Sequence, residues 1–294
     1  MKRIVMAFLV VSGLMGGAAA LRAQDEATAP PPKVLVIDRE MVKVGKSAAH
    51  AKNEAAWVRA FTAAKAPDRY LAATTMSGPN AAVFFQGFDS YAAWGEANKY
   101  DEQPKVAAML APTAEKDADY VSEGRTMVAT FNEKWSYKPA MNIAEMRYFE
   151  LETIRMRPGR DKEWAQLIAL YQGAAAKMNL DEHDIFYEVH YGAPDGTVLI
   201  FTPRKSMADL DTAMGMGKAF QDALGESGRE QWAKLSEETV AADSAELLEF
   251  SPEMSYPPDA WVKFDSSYWK PKPMMGAKPA AGAKKAAEAP APKE

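Results

Sequence analysis

The sequence predicts an α+β protein built from two tandem copies of one ferredoxin-like β-α-β-β-α-β unit. Three observations support this prediction: short sequences that recur about 115 residues apart, the same order of strand and helix patterns in each half, and a globular composition. Of the 294 residues, 48% are hydrophobic and 26% are charged. These fractions exclude a wholly disordered or fibrous chain, and the length suits one large domain or two of about 100–150 residues.

The internal repeat appears at three places, in the same order in both halves. The offset grows from 114 to 119 residues along the chain, as short loop insertions would produce. Duplication therefore explains the matches better than chance does. The matches pair Lys43–Lys46 with Arg157–Arg160, the turn at 78–80 with that at 193–196, and Trp135–Pro139 with Met254–Pro258.

Each predicted element of the first half has a local signal. Val34 to Val44 is rich in β-branched and apolar residues and ends at Gly45, which is typical of a strand. Ser47 is a suitable cap for a helix that Pro67 stops. The predicted elements are a strand at 34–44, a helix at 47–65, a hairpin of 70–76 and 82–88, a helical region at 90–124 that Pro104 and Pro112 interrupt, and a strand at 125–131.

The second half repeats this order. Its first helix, at 160–178, has apolar residues at three-four spacing, which predicts a single buried face: Trp164, Leu167, Ile168, Tyr171, Ala174, Ala175 and Met178. Because helices would cover only one face of each four-stranded sheet, we expect the two sheets to pack face to face. The other predicted elements are a strand at 145–156, a hairpin of 185–191 and 197–201, helical segments at 206–214 and 218–242, and a strand at 245–250.

Both halves begin with a strand, then Gly, then Lys or Arg, then a helix, at 44–46 and 156–160. With the element order, this arrangement resembles the dimeric α+β barrel superfamily in a fused tandem form, over about 34–139 and 143–258. That superfamily includes antibiotic-biosynthesis monooxygenase-type, NIPSNAP-type and haem-binding chlorite dismutase-related proteins. The resemblance implies an intramolecular pseudo-dimeric α/β barrel. It implies no single reaction, since the superfamily's chemistries vary.

The ends of the chain differ from its body. A basic start at 1–3, an apolar run at 4–14 and small residues at 16–20 predict a signal peptide, with cleavage after Ala20 or Ala23 and a periplasmic or secreted product. The apolar run is shorter than the roughly 20 residues of a spanning helix. We therefore divide the chain into a signal peptide (1–23), a linker (24–33), the two repeats (34–139 and 143–258), an aromatic strap (259–273) and a disordered Lys/Ala/Pro tail (274–294).

Charge and cysteine content exclude several functions. Residues 24–269 carry 26 basic and 38 acidic side chains, so nucleic acid is not an expected partner. With no cysteine, the chain offers no disulfide, no thiolate nucleophile, no Fe–S cluster and no Cys-type zinc site. After cleavage we expect no integral membrane segment, and homo-oligomerisation stays open.

The first helix of the first half carries the most unusual polar residues. At an offset of 114, polar groups stand where the second half has apolar ones: His50 for Trp164, Asn53 for Leu167 and Glu54 for Ile168. If this face is buried, it forms a polar pocket with His50 as proton donor or acceptor and Glu54 orienting it. The alternative, which the sequence alone favours, is a slightly rotated helix with these groups solvated.

Metal and haem sites have no clear sequence signal. A metal at His50 and Glu54 needs a third ligand, and nothing at ligand spacing follows. His183 falls in a polar loop and His190 in a strand, and no motif marks a haem ligand. The sequence therefore predicts no metal and no cofactor.

Acidic residues alternate along the first strand of each half: Asp38 and Glu40, then Glu150 and Glu152. Alternation places each pair on one sheet face. These carboxylates either converge between the sheets as an acid–base pair or lie on an exposed strand face. The exposed face is the default expectation.

Three functions remain from the sequence. The leading one is an exported protein that binds a small apolar or aromatic ligand at the junction of the two units. One rival is a cofactor-independent monooxygenase-like oxidoreductase that uses His50, Glu54 and Trp57. The other is a structural or interaction module of the cell envelope. The candidate residues are His50 and Glu54 for catalysis, and Asn53, Trp57, Trp94, Tyr148 and His190 for ligand binding.

Overall fold

The computed structural model describes residues 30–270. The predicted signal peptide (1–23), most of the predicted linker (24–33), the end of the predicted strap and the predicted tail (274–294) lie outside the described residues. In the part of the chain that is described, no helix has both the length and the apolar character needed to cross a membrane.

The two halves have the same order of elements. The first half contains β1 (Val34–Val42), α1 (Ser47–Ala64), β2 (Tyr70–Thr75), β3 (Ala81–Phe88), α2 (Tyr91–Asp101), α3 (Pro104–Tyr120) and β4 (Val121–Phe131). The second contains a short 3₁₀ turn (Ile143–Glu145), β5 (Tyr148–Met156), α4 (Asp161–Lys177), β6 (Ile185–Tyr191), β7 (Thr197–Arg204), α5 (Met207–Gly215), α6 (Gly217–Thr239) and β8 (Val240–Phe250). Two short helices follow, α7 (Asp259–Phe264) and α8 (Ser266–Trp269).

The predicted break at Pro104 is observed, and the one at Pro112 is not. Pro104 is at the start of α3, where its missing N–H costs nothing. The helix continues through Pro112, which is exposed, so water can satisfy the carbonyl that loses its helical hydrogen bond. Both β4 and β8 begin directly where a helix ends, four to five residues earlier than the sequence predicts.

The eight strands form one closed antiparallel barrel in the order β1-β3-β2-β8-β5-β7-β6-β4. Each half supplies four neighbouring strands in the same internal order, which confirms the predicted pseudo-dimeric α/β barrel. The two sheets also pair through their edges, a contact that the sequence analysis did not specify. Ala73–Thr75 of β2 pair with β8, and Val128–Phe131 of β4 pair with β6. This pairing satisfies edge-strand backbone groups that would otherwise lack partners.

Alternate strand residues fill the barrel, and the helices cover its outside. The interior is apolar, with Leu35, Ile37, Phe149, Leu199 and Leu248 among its buried side chains. A separate apolar cluster lies between the sheet of the second half and the helices α4 and α6. We call it the second helix–sheet interface; it consists of Ile154, Trp164, Leu167, Ile168 and Leu235, with neighbouring apolar residues.

One glycine is required where the two halves meet. Gly192, after β6, has a φ of +81°, and a Cβ there would lie 1.9 Å from the carbonyl oxygen of Thr126 on β4. The Arg125 Nε donates to the Gly192 carbonyl oxygen at 2.8 Å. No other residue type fits this position without moving one half against the other.

Candidate functional site

Polar side chains are buried beneath α1. We call this group the first helix–sheet interface and define it as Glu40 on β1, His50, Asn53 and Glu54 on α1, and Asp117 on α3. His50 is 2% exposed, Glu54 5% and Asn53 6%. The expectation of a rotated helix with solvated groups is therefore wrong. The helix presents to the sheet the same face that α4 presents in the second half, where the matching side chains are also buried.

Glu40 supplies a neighbour that the sequence analysis did not assign to His50. It lies on β1 at a position that alternates with the barrel-filling residues, so its side chain faces α1. The His50 Nε2 lies 2.7 Å from the Glu40 Oε2 and 3.7 Å from the Glu54 Oε1. The donor atoms of these three residues all lie within 4.8 Å of one another.

Asp117 connects this group to α3. The Asn53 Nδ2 donates to the Asp117 Oδ1 at 2.5 Å and to the Thr113 carbonyl oxygen at 3.1 Å. The Trp57 Nε1 donates to the Asp117 Oδ2 at 3.1 Å. Thus four of the predicted site residues, His50, Asn53, Glu54 and Trp57, do lie together, and sequence reasoning missed Glu40 and Asp117 as their partners.

Burial changes the acidity of this interface. Desolvation, followed by the charges of Glu40 and Asp117, raises the pKa of Glu54 to about 9. Burial also raises the pKa of Asp117, although hydrogen bonds from Trp57 and Asn53 oppose the shift. The Glu54 carboxyl is therefore neutral at pH 7 when nothing cationic is bound beside it. Chemically, the group can exchange a proton with the imidazole or, once deprotonated, coordinate a cation.

The other acidic strand residues do not converge between the sheets. Ile37, Phe149 and Leu151 fill the barrel, so the alternating Asp38, Glu150 and Glu152 face the helices on the outside. The default expectation of an exposed face holds only in part, since Asp38 and Glu152 are half-buried, and this burial raises the pKa of each carboxyl. Glu150 is more exposed and pairs with Arg204 at 2.7 Å.

A second candidate site is a cavity of about 530 Å³ at one end of the barrel. Interior side chains of both halves line it, together with Trp261 of the strap. The strap packs against the body. The Trp269 Nε1 donates to the Ala144 carbonyl oxygen at 2.9 Å, and the Tyr268 hydroxyl donates to the Phe250 carbonyl oxygen at 3.0 Å. The lining residues are apolar or aromatic apart from Asp68, Arg69 and Asp89 at the rim.

None of the predicted catalytic or ligand-binding residues lines this cavity. Trp94 packs beside Val34, Val36 and Phe88 under α2, Tyr148 is half-buried at the start of β5, and the His190 Nε2 lies 2.6 Å from the Thr130 hydroxyl oxygen. Alternation along the strands is the sequence signal that could have identified the residues lining this cavity. The residues at 35, 85, 149 and 201 occupy the strand positions that face away from the helices and into the barrel.

The histidines do not fit a haem site. His50 lies between two carboxylates under α1, and the His183 Nδ1 lies 2.5 Å from the Lys138 carbonyl oxygen. His190 lines a cavity of only about 350 Å³, and the larger cavity has no histidine in its wall. Neither of the two described cavities therefore combines a histidine nitrogen with the volume of the larger one.

No family model and no characterised protein sequence matches the chain. Among solved structures, it is similar to an anthrone oxidase-like protein (9% identity, 75% of this chain and 92% of that one, TM-score 0.47). It is also similar to a single-site variant of the chlorite dismutase from Candidatus Nitrospira defluvii (10% identity, 82% of this chain and 99% of that one, TM-score 0.47). A third similar structure is a heme-binding protein from Thermus thermophilus (10% identity, 76% of this chain and 93% of that one, TM-score 0.41). These similarities concern the fold alone. The closed eight-stranded barrel confirms the predicted fold.

Proposed function

We propose that this protein binds a small apolar or aromatic molecule in the cavity at the end of the barrel. The observation that carries the proposal is the wall of the cavity, which is mainly apolar and contributed by both halves. Its volume of about 530 Å³ falls within the roughly 300–1,000 Å³ that small-molecule sites occupy.

Aromatic rings and one cation set the chemistry of the proposed ligand. Phe85, Phe149 and Phe201 form a group with ring centroids 5.6–5.9 Å apart, so a flat ligand can join their edge-to-face packing. Among the described residues that line the cavity, Arg69 alone is cationic. Its guanidinium lies 4.1 Å from the centroid of the Tyr256 ring and pairs at 3.3 Å with the exposed carboxylate of Asp259. An exposed ion pair is weak, so an anionic or polar substituent of the ligand can compete with Asp259 for this guanidinium.

Titration with the fluorescent probe 1-anilinonaphthalene-8-sulfonate, together with native mass spectrometry of the purified protein, tests this proposal. Ile143→Trp places a large ring in the lining and should weaken probe binding about tenfold. Met214→Trp adds the same ring at a residue that is 84% exposed and should leave binding unchanged. The proposal fails if the probe does not bind, or if the two variants weaken its binding equally.

A monooxygenase-like oxidoreductase is the second candidate. It is favoured by the contact of His50 with Glu54, whose pKa is raised to about 9, and by Trp57 joining the same group through Asp117. It ranks second because these residues line neither of the two described cavities. If a ligand recovered from the protein is converted in air, His50→Gln should abolish the conversion, and an unchanged rate would exclude this role.

Binding would take place outside the cytoplasm, because residues 1–23 have the layout of a signal peptide. Amino-terminal sequencing of protein recovered from the producing cell should begin after Ala20 or Ala23. An uncleaved cytoplasmic product would contradict export.

A further inference from the structure

We infer that Glu40, His50 and Glu54 form a binding site for one divalent transition-metal cation of the zinc class. The three residues offer one imidazole nitrogen and two carboxylates, with donor atoms within 4.8 Å of one another. They come from two elements that the fold holds together, since Glu40 lies on β1 and the other two lie one turn apart on α1.

Two of the three donor separations require little change to accept a cation. Donor atoms around a tetrahedral zinc ion at 2.0–2.2 Å lie about 3.3 Å apart. The His50 Nε2 is 2.7 Å from the Glu40 oxygen and 3.7 Å from the Glu54 oxygen. To accept the ion, the first distance must lengthen and the second must shorten, each by less than an ångström. A site of mixed nitrogen and carboxylate donors suits zinc, manganese or iron better than calcium or magnesium.

An unpartnered atom points to a missing neighbour. The Glu54 Oε1 is buried and accepts no hydrogen bond, and the side chain that carries it is 6% exposed. A buried polar oxygen without a partner is destabilising, and a cation between it and His50 would remove that cost.

The second half shows that the fold does not need polar groups here. At the offset of 114 residues that relates this part of the two halves, Ile154, Trp164 and Ile168 replace the three donors and belong to one buried apolar cluster. The donor set is therefore a feature of one copy and not of the barrel.

The site is separate from the proposed ligand cavity, because none of its three residues lines that cavity. Glu40 is 24% exposed, so an ion can enter from solvent on its side, and water can complete the coordination. Failure of cavity binding therefore leaves this inference standing, and the reverse also holds.

The test is a Zn²⁺ titration of the full chain, prepared without a histidine tag and stripped with chelator. Calorimetry should show one equivalent bound, with a rise in Tm. Co²⁺ substitution should give the visible absorption bands of a low-coordinate site. Glu40→Gln, which alters a partly exposed strand residue, and the nearly isosteric Glu54→Gln should each weaken Zn²⁺ binding about 100-fold or more.

His190→Gln is the matched control, because it removes an exposed imidazole outside the site and should leave affinity and stoichiometry unchanged. The inference is overturned if the wild-type chain binds no Zn²⁺, or if both carboxylate variants bind it as tightly as wild type. It is also overturned if only His190→Gln loses binding.

Discussion

The two helix–sheet interfaces occupy equivalent places in the barrel and have opposite chemistry. In the second, Ile154, Trp164 and Ile168 pack as apolar core. In the first, Glu40, His50 and Glu54 stand at the matching positions, and two of the three are just as buried. Because the apolar version builds the same fold at lower desolvation cost, the fold itself does not require the polar version.

Placing a glutamate in the second helix–sheet interface should lower the stability of the protein more than any other substitution proposed below. Ile168→Glu places in the apolar interface the carboxyl that Glu54 supplies in the polar one, without His50 or Glu40 beside it. We expect the free energy of unfolding to fall by about 3–5 kcal/mol, as for an uncompensated buried charge. Urea denaturation measures the change.

Gln166→Glu is the matched control, because it adds the same charge at an exposed position of the same helix. Its free energy of unfolding should change by about 0.5 kcal/mol or less. Equal losses in the two variants would mean that the second interface is not the dry environment that its packing indicates.

The reverse exchange should stabilise the metal-free protein. Glu54→Leu removes the unpartnered Oε1 and places an apolar side chain of similar size where the second half has Ile168. With chelator present, we expect a gain of about 1–2 kcal/mol at pH 7. A loss of that size would show that Glu54 contributes to stability without a cation.

The pH dependence of stability separates Glu54 from its neighbours. The folded state raises the pKa of Glu54 from 4.5 to about 9, so over this window the folded chain keeps a proton that the unfolded chain releases. The free energy of unfolding should therefore fall with rising pH between these values, by at most about 1.4 kcal/mol per pH unit. Glu54→Gln should lose this part of the slope in unfolding measurements at several pH values, and an unchanged slope would assign it to other groups.

Removing the hydrogen-bonded link between helices should destabilise the protein by less than the Ile168→Glu exchange does. Asp117→Ala leaves the Asn53 Nδ2 and the Trp57 Nε1 without their shared acceptor, and we expect a loss of about 1–3 kcal/mol. The control is Ser236→Ala, because Ser236 lies four residues before β8 just as Asp117 lies four residues before β4. This substitution should change the free energy of unfolding by about 0.5 kcal/mol or less. Thermal unfolding compares the two, and similar Tm values would remove Asp117 from this role.

The repeat and the element order could be predicted from the sequence, because they depend on periodicity and turn residues that act locally. The barrel was expected only because the resemblance to the dimeric α+β barrel superfamily implied it. Helix α3 could not be predicted, since whether Pro112 breaks it depends on the exposure of one carbonyl. Closure through the edges of β2 with β8 and β4 with β6 depends on pairing between distant strands, which no local pattern encodes.

The candidate site could be predicted only in part. The spacing of His50 and Glu54 on one helix was visible in the sequence, but their burial was not, because it depends on how α1 sits on the sheet. Glu40 was visible as an alternating strand acid, yet its contact with His50 requires the strand and the helix to be placed together. The cavity wall draws on both halves and the strap, so it exists only once the barrel closes.

The fusion of both halves in one polypeptide has a consequence for how such an interface can arise. In a barrel assembled from two identical chains, every substitution appears twice, so a Glu–His–Glu group would enter both interfaces or neither. A single chain removes this symmetry. The half that carries Trp164 can keep the barrel stable while the half that carries His50 changes its chemistry, and the cost of burying polar groups is incurred once instead of twice.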